Sequence, residues 1–381
     1  MTARSAGGSV CVTPASTGIV METEWIGELR DHKQGDFSRE EVTLANRNSG
    51  IALEMLRYDV TPVGMHYLLT HFDYPYLEAD TWKLDISGLV DRPVVLSLAD
   101  LKALPQVTQT VTLECAGNGR ANIDRRYQSM PWQHEAVSTA QWTGVRLADV
   151  LENASIDPSA IEIVFYGADH GEDAHGEHDY GRSLSVAHAM QPEVMLVYEM
   201  NGLPLLPQHG APVRMIVPGW YGMASVKWLV RIEAVDRPFD GPQQVGTYVY
   251  RDKPEDPGTF VQEIRVKSLM IPPGFPDFYS RRRFADAGRI ELMGRAWSGN
   301  GVGIAGVEIC VDGTWHQATV TVSDSKYAWT RWHWHWDASP GEHVLQCRAT
   351  DANGQVQPLD SRWDNQGFGN NGVQTVKVTV R

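Results

Sequence analysis

Between residues 51 and 245 the hydrophobic positions change period repeatedly, and each change marks an element. WKLDISGLV (82–90) and QTVTLECA (109–116) alternate apolar with polar side chains, as half-buried strands do. Ser97 followed at the third place by Asp100 has capping-box spacing and opens a short helix, and VRLADVLENA (145–154) carries a helical apolar stripe. IEIVFYG (161–167) reads as a further strand, while MLVYEM (195–200) and PVRMIVPG (212–219) read as two strands around an Asn201-Gly202 turn. The mixture predicts an α+β domain. It lacks the regular repeat of a dinucleotide-binding sheet, and no GxGxxG follows a strand.

Beyond residue 250 the helical period disappears. RIELMGRAWSG, GVEICVDG, TWHQATVTV, WTRWHWHWDA, HVLQCRATD and VQTVKVTVR are short alternating runs separated by Gly, Pro, Asn and Asp, the pattern of a β-sandwich. KPEDPG (253–258) is the natural linker. The expected division is an N-terminal arm over 1–50, rich in Gly, Ser, Thr and charge, a catalytic domain over 51–250, and a sandwich over 251–381. In Trp332-His333-Trp334-His335-Trp336 a period of two sends indoles to one face and imidazoles to the other, so this is a sandwich face rather than a metal site. Cys310 and Cys347 fall on opposite strand phases, which argues against a bridge; all four cysteines are expected to be reduced.

A length of 381 residues exceeds what one core usually holds, and 42% hydrophobic residues suffice for two. A net charge of −14 disfavours nucleic acid or an anionic membrane as partner and suits a small molecule or a basic electron-transfer protein. No apolar run reaches the roughly 18 residues of a membrane span, and the first residues lack the order of a secretory signal. The expected protein is soluble, cytoplasmic or, with an export signal removed, periplasmic. Without CxxCH no c-type haem is expected, and no segment remains for a b-type haem.

The chemistry concentrates in TLECAGNGR (112–120), where a strand ends on a lone cysteine and a glycine-flanked turn follows. Gly117 and Gly119 are expected to allow a tight turn with positive φ that leaves the Cys115 sulfur facing a cavity. A lone cysteine there reads, on its own, first as a small buried hydrophobe, with nucleophile and soft metal ligand as the alternatives. His170, His175 and His178 in DHGEDAHGEHDYG have zinc-like spacing, yet the surrounding carboxylates and glycines read as a solvated loop.

CAGN followed by arginine resembles the metal-binding turn of the sulfite oxidase family of molybdopterin enzymes. Pro131-Trp132 with EAVSTAQWTGVRLADVL, then MLVYEMNGLPL, then QHGAPVRMIVPGWYGMASVKWL are similar to consecutive blocks of that family, from about Tyr67 to Tyr248. The resemblance implies a molybdenum–molybdopterin cofactor (Moco), no haem, and an immunoglobulin-like C-terminal domain that makes a homodimer. It implies that Cys115 is the metal's protein ligand, and that His71, Asp169, His209, Arg214, Ser225, Val226 and Lys227 contact the pterin and its phosphate. It also places Arg120, Trp132 and Tyr248 in the substrate pocket, with Tyr250 close enough to contest the tyrosine position. Two family arginines are missing, since Leu69 and Gln366 stand in their places. The implied function is oxidation of sulfite to sulfate, with electrons passed to an external acceptor such as a cytochrome. The alternatives are a reductase or another sulfur-compound oxidase with the same cofactor, and a dimeric binding module without redox chemistry.

Overall fold

The computed structural model describes residues 37–123 and 127–381. Four larger sheets carry the fold. The first has the order 94–97, 83–88, 229–235, 162–173, 176–185, and its strands Lys83–Gly88 and Leu229–Val235 run parallel. The second runs Gln106–Glu114, Val137–Arg146, Met195–Met200, Leu203–Pro204, all antiparallel, with Arg214–Ile216 also paired to Met195–Met200. The last two, of four and six strands, form the C-terminal sandwich. Among the described residues no helix is long and apolar enough to cross a membrane.

Local sequence explains the helices. The Ser97–Asp100 capping box forms at the start of Leu98–Lys102. Leu147–Ala154 buries Leu147, Val150, Leu151 and Ala154, the i, i+3, i+4, i+7 stripe, and ends where Ser155 turns left-handed. A second capping box, Ser38 with Glu41, opens Arg39–Arg47 inside the segment expected to be an arm without periodic structure. Residues 1–36, Cys11 among them, lie outside the described residues. Asn201 and Gly202 both take positive φ, as a two-residue hairpin turn needs, but the strand they lead into is Leu203–Pro204; Arg214–Ile216 returns later to the other part of Met195–Met200. KPEDPG is the tip of a hairpin whose arms are Val249–Tyr250 and Thr259–Phe260.

Three apolar cores fill the spaces. One lies with the first sheet around Leu84, Phe165 and Ile232, and one inside the sandwich around Trp332, Leu345 and Val378. The third joins Val111, Leu113 and Cys115 to Leu269, Trp297, Trp329 and Phe368, so the cysteine strand packs directly on the C-terminal strands. Trp332 and Trp336 are buried while His335 is exposed, as the period-two reading expects, and Trp334 stacks on His316. Cys310 pairs across the sheet with Gln346 and Cys347 with Ile309; both thiols are free. His170 and His178 belong to the paired strands Glu162–Asp173 and Gly176–Ser185, not to a loop. His170 is held between Glu177 and Asp179, and no metal-binding group of three occurs among the described residues.

Candidate functional site

Cys115 follows the strand Gln106–Glu114, its N–H donating to the Ala136 carbonyl. The chain then turns tightly: Asn118 N–H returns to the Cys115 carbonyl at 2.9 Å and Arg120 N–H to that of Gly117 at 3.0 Å. Only Gly119 of the two glycines takes positive φ, at 99°. Gly117 is needed for a different reason, because a Cβ there would stand 2.8 Å from both terminal nitrogens of Arg120. Burial raises the Cys115 pKa, while the Gly117 N–H, the Arg120 charge and the Trp132 indole work toward the thiolate. The Trp132 Nε1 has no partner with full hydrogen-bond geometry, which leaves that N–H free to turn to sulfur.

The sulfur faces a cavity whose wall includes His71, Asp169, His209, Arg214, Ser225, Lys227 and Tyr248. Seven of the expected site residues therefore share that wall with Cys115. Trp132 and Arg120, expected in the pocket, are not in that wall; they act on the sulfur, the indole as a donor and the guanidinium by its charge. Val226 is not in the wall: its side chain turns into the first core and its carbonyl accepts from Met215, between Ser225 and Lys227 that do line the cavity. Tyr248 rather than Tyr250 reaches the cavity: its hydroxyl pairs with His71 Nε2 at 2.6 Å, whereas Tyr250 lies under Arg265. Leu69 lines the cavity, and the Gln366 carbonyl accepts from Arg120 Nε at 2.6 Å.

The charges are one-sided. Arg214 is buried and donates to the carbonyls of Met215, His209 and Ser225; burial lowers its pKa to about 10. Lys227 donates to the carbonyls of Leu69 and Gln208 and to Thr70 Oγ1; burial, then Arg214, pulls its pKa down to about 7. All these acceptors are neutral. Burial pushes Asp169 up to about 6, and its Oδ1 has no partner among the described residues. His71 and His209 are each lowered to about 4, first by burial, and His66 falls well below its ordinary value for the same reason. At neutral pH these imidazoles are neutral donors and acceptors rather than cations. With cations set into neutral oxygens and little carboxylate nearby, the wall is prepared for an anion.

Several residues of this site carry no signal in the sequence alone. His66 and Tyr67 stand beside the matched histidine in HYLLTH, and Tyr180 belongs to a hairpin read as solvated. Arg182 is 1% exposed, with its guanidinium 5.6 Å from the Tyr248 ring centre. A π-helical turn, Pro242–Thr247, leads into Tyr248; it is held by Arg182 through the Gln243 carbonyl and by Arg251 through those of Val245 and Gly246. Such turns concentrate at functional sites.

Residues 71–243 match the family described as oxidoreductase molybdopterin binding domain, and residues 259–381 match the Mo-co oxidoreductase dimerisation domain. Nitrate reductase of Ulva prolifera is 32% identical over 350 residues, covering 84% of this chain and 40% of that protein. Human mitochondrial sulfite oxidase is 32% identical over 345 residues, covering 84% and 62%. The chain thus spans under two thirds of the length of these relatives. The crystal structure of the sulfane dehydrogenase SoxCD from Paracoccus pantotrophus superposes with a TM-score of 0.74 at 27% identity, over 97% of this chain and 100% of that one. The cysteine turn, the cationic wall and both matched segments have one common source: the chain belongs to the sulfite oxidase family of molybdopterin oxidoreductases.

Proposed function

We propose that the chain is a molybdopterin-dependent oxidoreductase that oxidises a small sulfur oxyanion, sulfite before others, and passes the electrons to an external acceptor. The observation that carries this reading is the pairing of one soft thiol, Cys115, with a cavity wall whose buried cations Arg214 and Lys227 donate, among the described residues, to neutral oxygens only, Asp169 being the one carboxylate beside Lys227. The residues fit the group. Cys115 supplies a thiolate for a soft metal. Arg214 and Lys227 supply a fork and a point charge for a phosphate, and the unpartnered His66 Nε2 and Asp169 Oδ1 supply an acceptor pair for pterin N–H groups. Once bound, the group supplies two-electron redox chemistry and oxygen transfer.

The protein's own contribution is binding and proton placement. Sulfite and water become sulfate, two protons and two electrons, so the pocket must hold an anion and receive protons. Arg120, tied to the carbonyls of Gln366 and Met130, supplies positive charge to the sulfur. Tyr248, whose pKa burial raises, stays protonated and presents its hydroxyl as a donor paired with neutral His71. Residues 51–250 would carry this chemistry, and 251–381 would join two copies. A second reading, oxidation of another sulfur compound, is favoured by Leu69 and Gln366, which leave the pocket less cationic than sulfite oxidases, and by the likeness to a sulfane dehydrogenase.

The test is molybdenum by mass spectrometry on protein from a pterin-making host, together with sulfite-dependent reduction of an artificial acceptor. About one metal per chain is expected. Metal near zero in folded protein would overturn the cofactor reading, and a full metal load without sulfite turnover would favour the second substrate class.

A further inference from the structure

Arg182 is a buried guanidinium with at least three of its five N–H donors idle among the described residues. One terminal nitrogen donates to the Gln243 carbonyl, while Nε and Nη2 meet no partner among the described residues. Those two nitrogens form one edge of the guanidinium, the edge that grips an oxyanion in two places at once. Leaving it empty and dry is costly, so a ligand or water completes it. Tyr180, two residues earlier in the strand Gly176–Ser185, lines the cavity, and a period of two puts Arg182 on the same strand face. The guanidinium lies against Tyr248, whose hydroxyl is itself in the cavity wall. Positive charge enters here from a strand quite separate from Leu69 and Gln366, the positions that lost it.

We propose that Arg182 forms an anion subsite beside Tyr248, its free Nε–Nη2 edge binding a small sulfur oxyanion; this rests on the oxidation reading above, whose substrate or product that ion would be. The subsite lies apart from the Arg214–Lys227 end of the cavity. In the loaded enzyme Arg214 and Lys227 would hold the pterin phosphate, which would leave Arg182 to hold an added anion.

Sulfate is the probe. Its dissociation constant is measured by calorimetry on molybdenum-loaded wild type, Arg182→Met, Arg182→Lys and Arg251→Met, with metal content and melting temperature taken on the same samples. Arg182→Met should weaken sulfate roughly 10- to 100-fold, the worth of a charged, forked contact. Arg182→Lys keeps the charge without the fork and should fall between; it also preserves the test where Arg182→Met does not fold. Arg251→Met loosens the same turn from its other side and should leave sulfate binding unchanged. Wild-type affinity in Arg182→Met would mean that water fills the edge and would overturn the proposal, as would equal weakening in Arg251→Met. Absence of molybdenum from wild type would sink the function reading instead, and the sulfate comparison would then be made in the Lys227→Met background, where the other end of the cavity has lost its point charge.

Discussion

Glu114 and Cys115 are consecutive, yet they belong to two polar regions built on opposite electrostatic plans. On the Glu114 side every group is matched. Its two carboxylate oxygens accept from Lys267 Nζ at 2.9 Å, Asn118 Nδ2 at 2.9 Å and Trp297 Nε1 at 2.8 Å, and Lys267 donates also to the carbonyls of Asn118 and Asn370. Both charged side chains are 1% exposed. On the Cys115 side Arg120, Arg182, Arg214 and Lys227 are spread over neutral oxygens, and His66, Asp169 and Arg182 keep unpartnered atoms. The first region is a seam: it ties the cysteine turn to the strand Lys267–Met270 and to the loop carrying Asn370, and it is complete in itself. The second is incomplete without an anion. A buried charge pair that satisfies all its bonds holds parts together; buried cations without counter-charge mark a place for a ligand.

The comparison is broken most severely at the residue between the two regions. Cys115→Ser should reduce molybdenum content and turnover to background while the melting temperature stays unchanged, because a hydroxyl fills the same space but is a poor soft-metal donor. Cys310→Ser, far from both regions, should keep metal and rate. Equal behaviour of the two variants would end the ligand assignment. On the other side of the boundary, Lys267→Met should cost about 3–5 kcal/mol, since it strands the Glu114 carboxylate in a dry interior. Denaturant titration reads this directly. A loss below about 1 kcal/mol would mean that water reaches Glu114, and the seam would not be the closed structure described.

The sequence made one region legible and hid the other. Cys115, Arg214 and Lys227 stand in contiguous blocks whose order and spacing resemble a known family, and the cavity gathers them as that resemblance implies. The strands were legible for a simpler reason: Val111 and Leu113 alternate with polar residues, which was enough to place the strand. The structure nonetheless buries both faces there, Thr112 and Glu114 included, as it does over Ile163, Val164 and Phe165. Glu114 with Lys267 was not legible, because the pair is 153 positions apart and nothing local marks a charge that burial will match. Arg182 was hidden by its neighbours. Its strand continues from an acidic, histidine-rich hairpin that reads as solvated, and only the pairing with Glu162–Asp173 shows that this end is buried. Val226 shows the limit in the other direction, since motif position brought it to the site but its side chain belongs to the core.

A smaller effect sharpens the ligand side through pH. Lys227, lowered to about 7 by burial and Arg214, is charged below that pH and neutral above it. Sulfate stays a dianion throughout, so its affinity for cofactor-free protein should be lost as pH rises through about 7, and Lys227→Met should remove the dependence. Stability has its own sign. Between about 7 and the ordinary 10.5 the unfolded chain binds the lysine proton and the folded one does not, so ligand-free protein gains stability with rising pH there. Between 3.8 and about 6 the folded state holds the Asp169 proton more tightly, so stability falls with rising pH in that window. Sulfate affinity that is flat across neutral pH would show that Lys227 does not meet the anion.

The smallest expected change comes from restoring what Leu69 and Gln366 removed. Leu69 is already in the cavity wall, and Gln366 gives its carbonyl to Arg120, so an arginine at 69 would enter the cavity and one at 366 would stand beside Arg120. Arginine at either position adds a fork where leucine offers no donor and glutamine only a neutral amide. The double variant Leu69→Arg with Gln366→Arg should lower the KM for sulfite by roughly tenfold, the scale of one well-made charged contact, because the two new guanidinium groups would be repelled by the Arg120 and Arg182 already nearby. The gain should be larger at low ionic strength, where exposed charge is screened less. It should be larger again when Arg182→Met is combined with it, since the added arginines would then replace a lost charge instead of crowding an existing one. A KM unmoved in either background would show that the anion does not lie against these two positions and that Arg120 binds it without them.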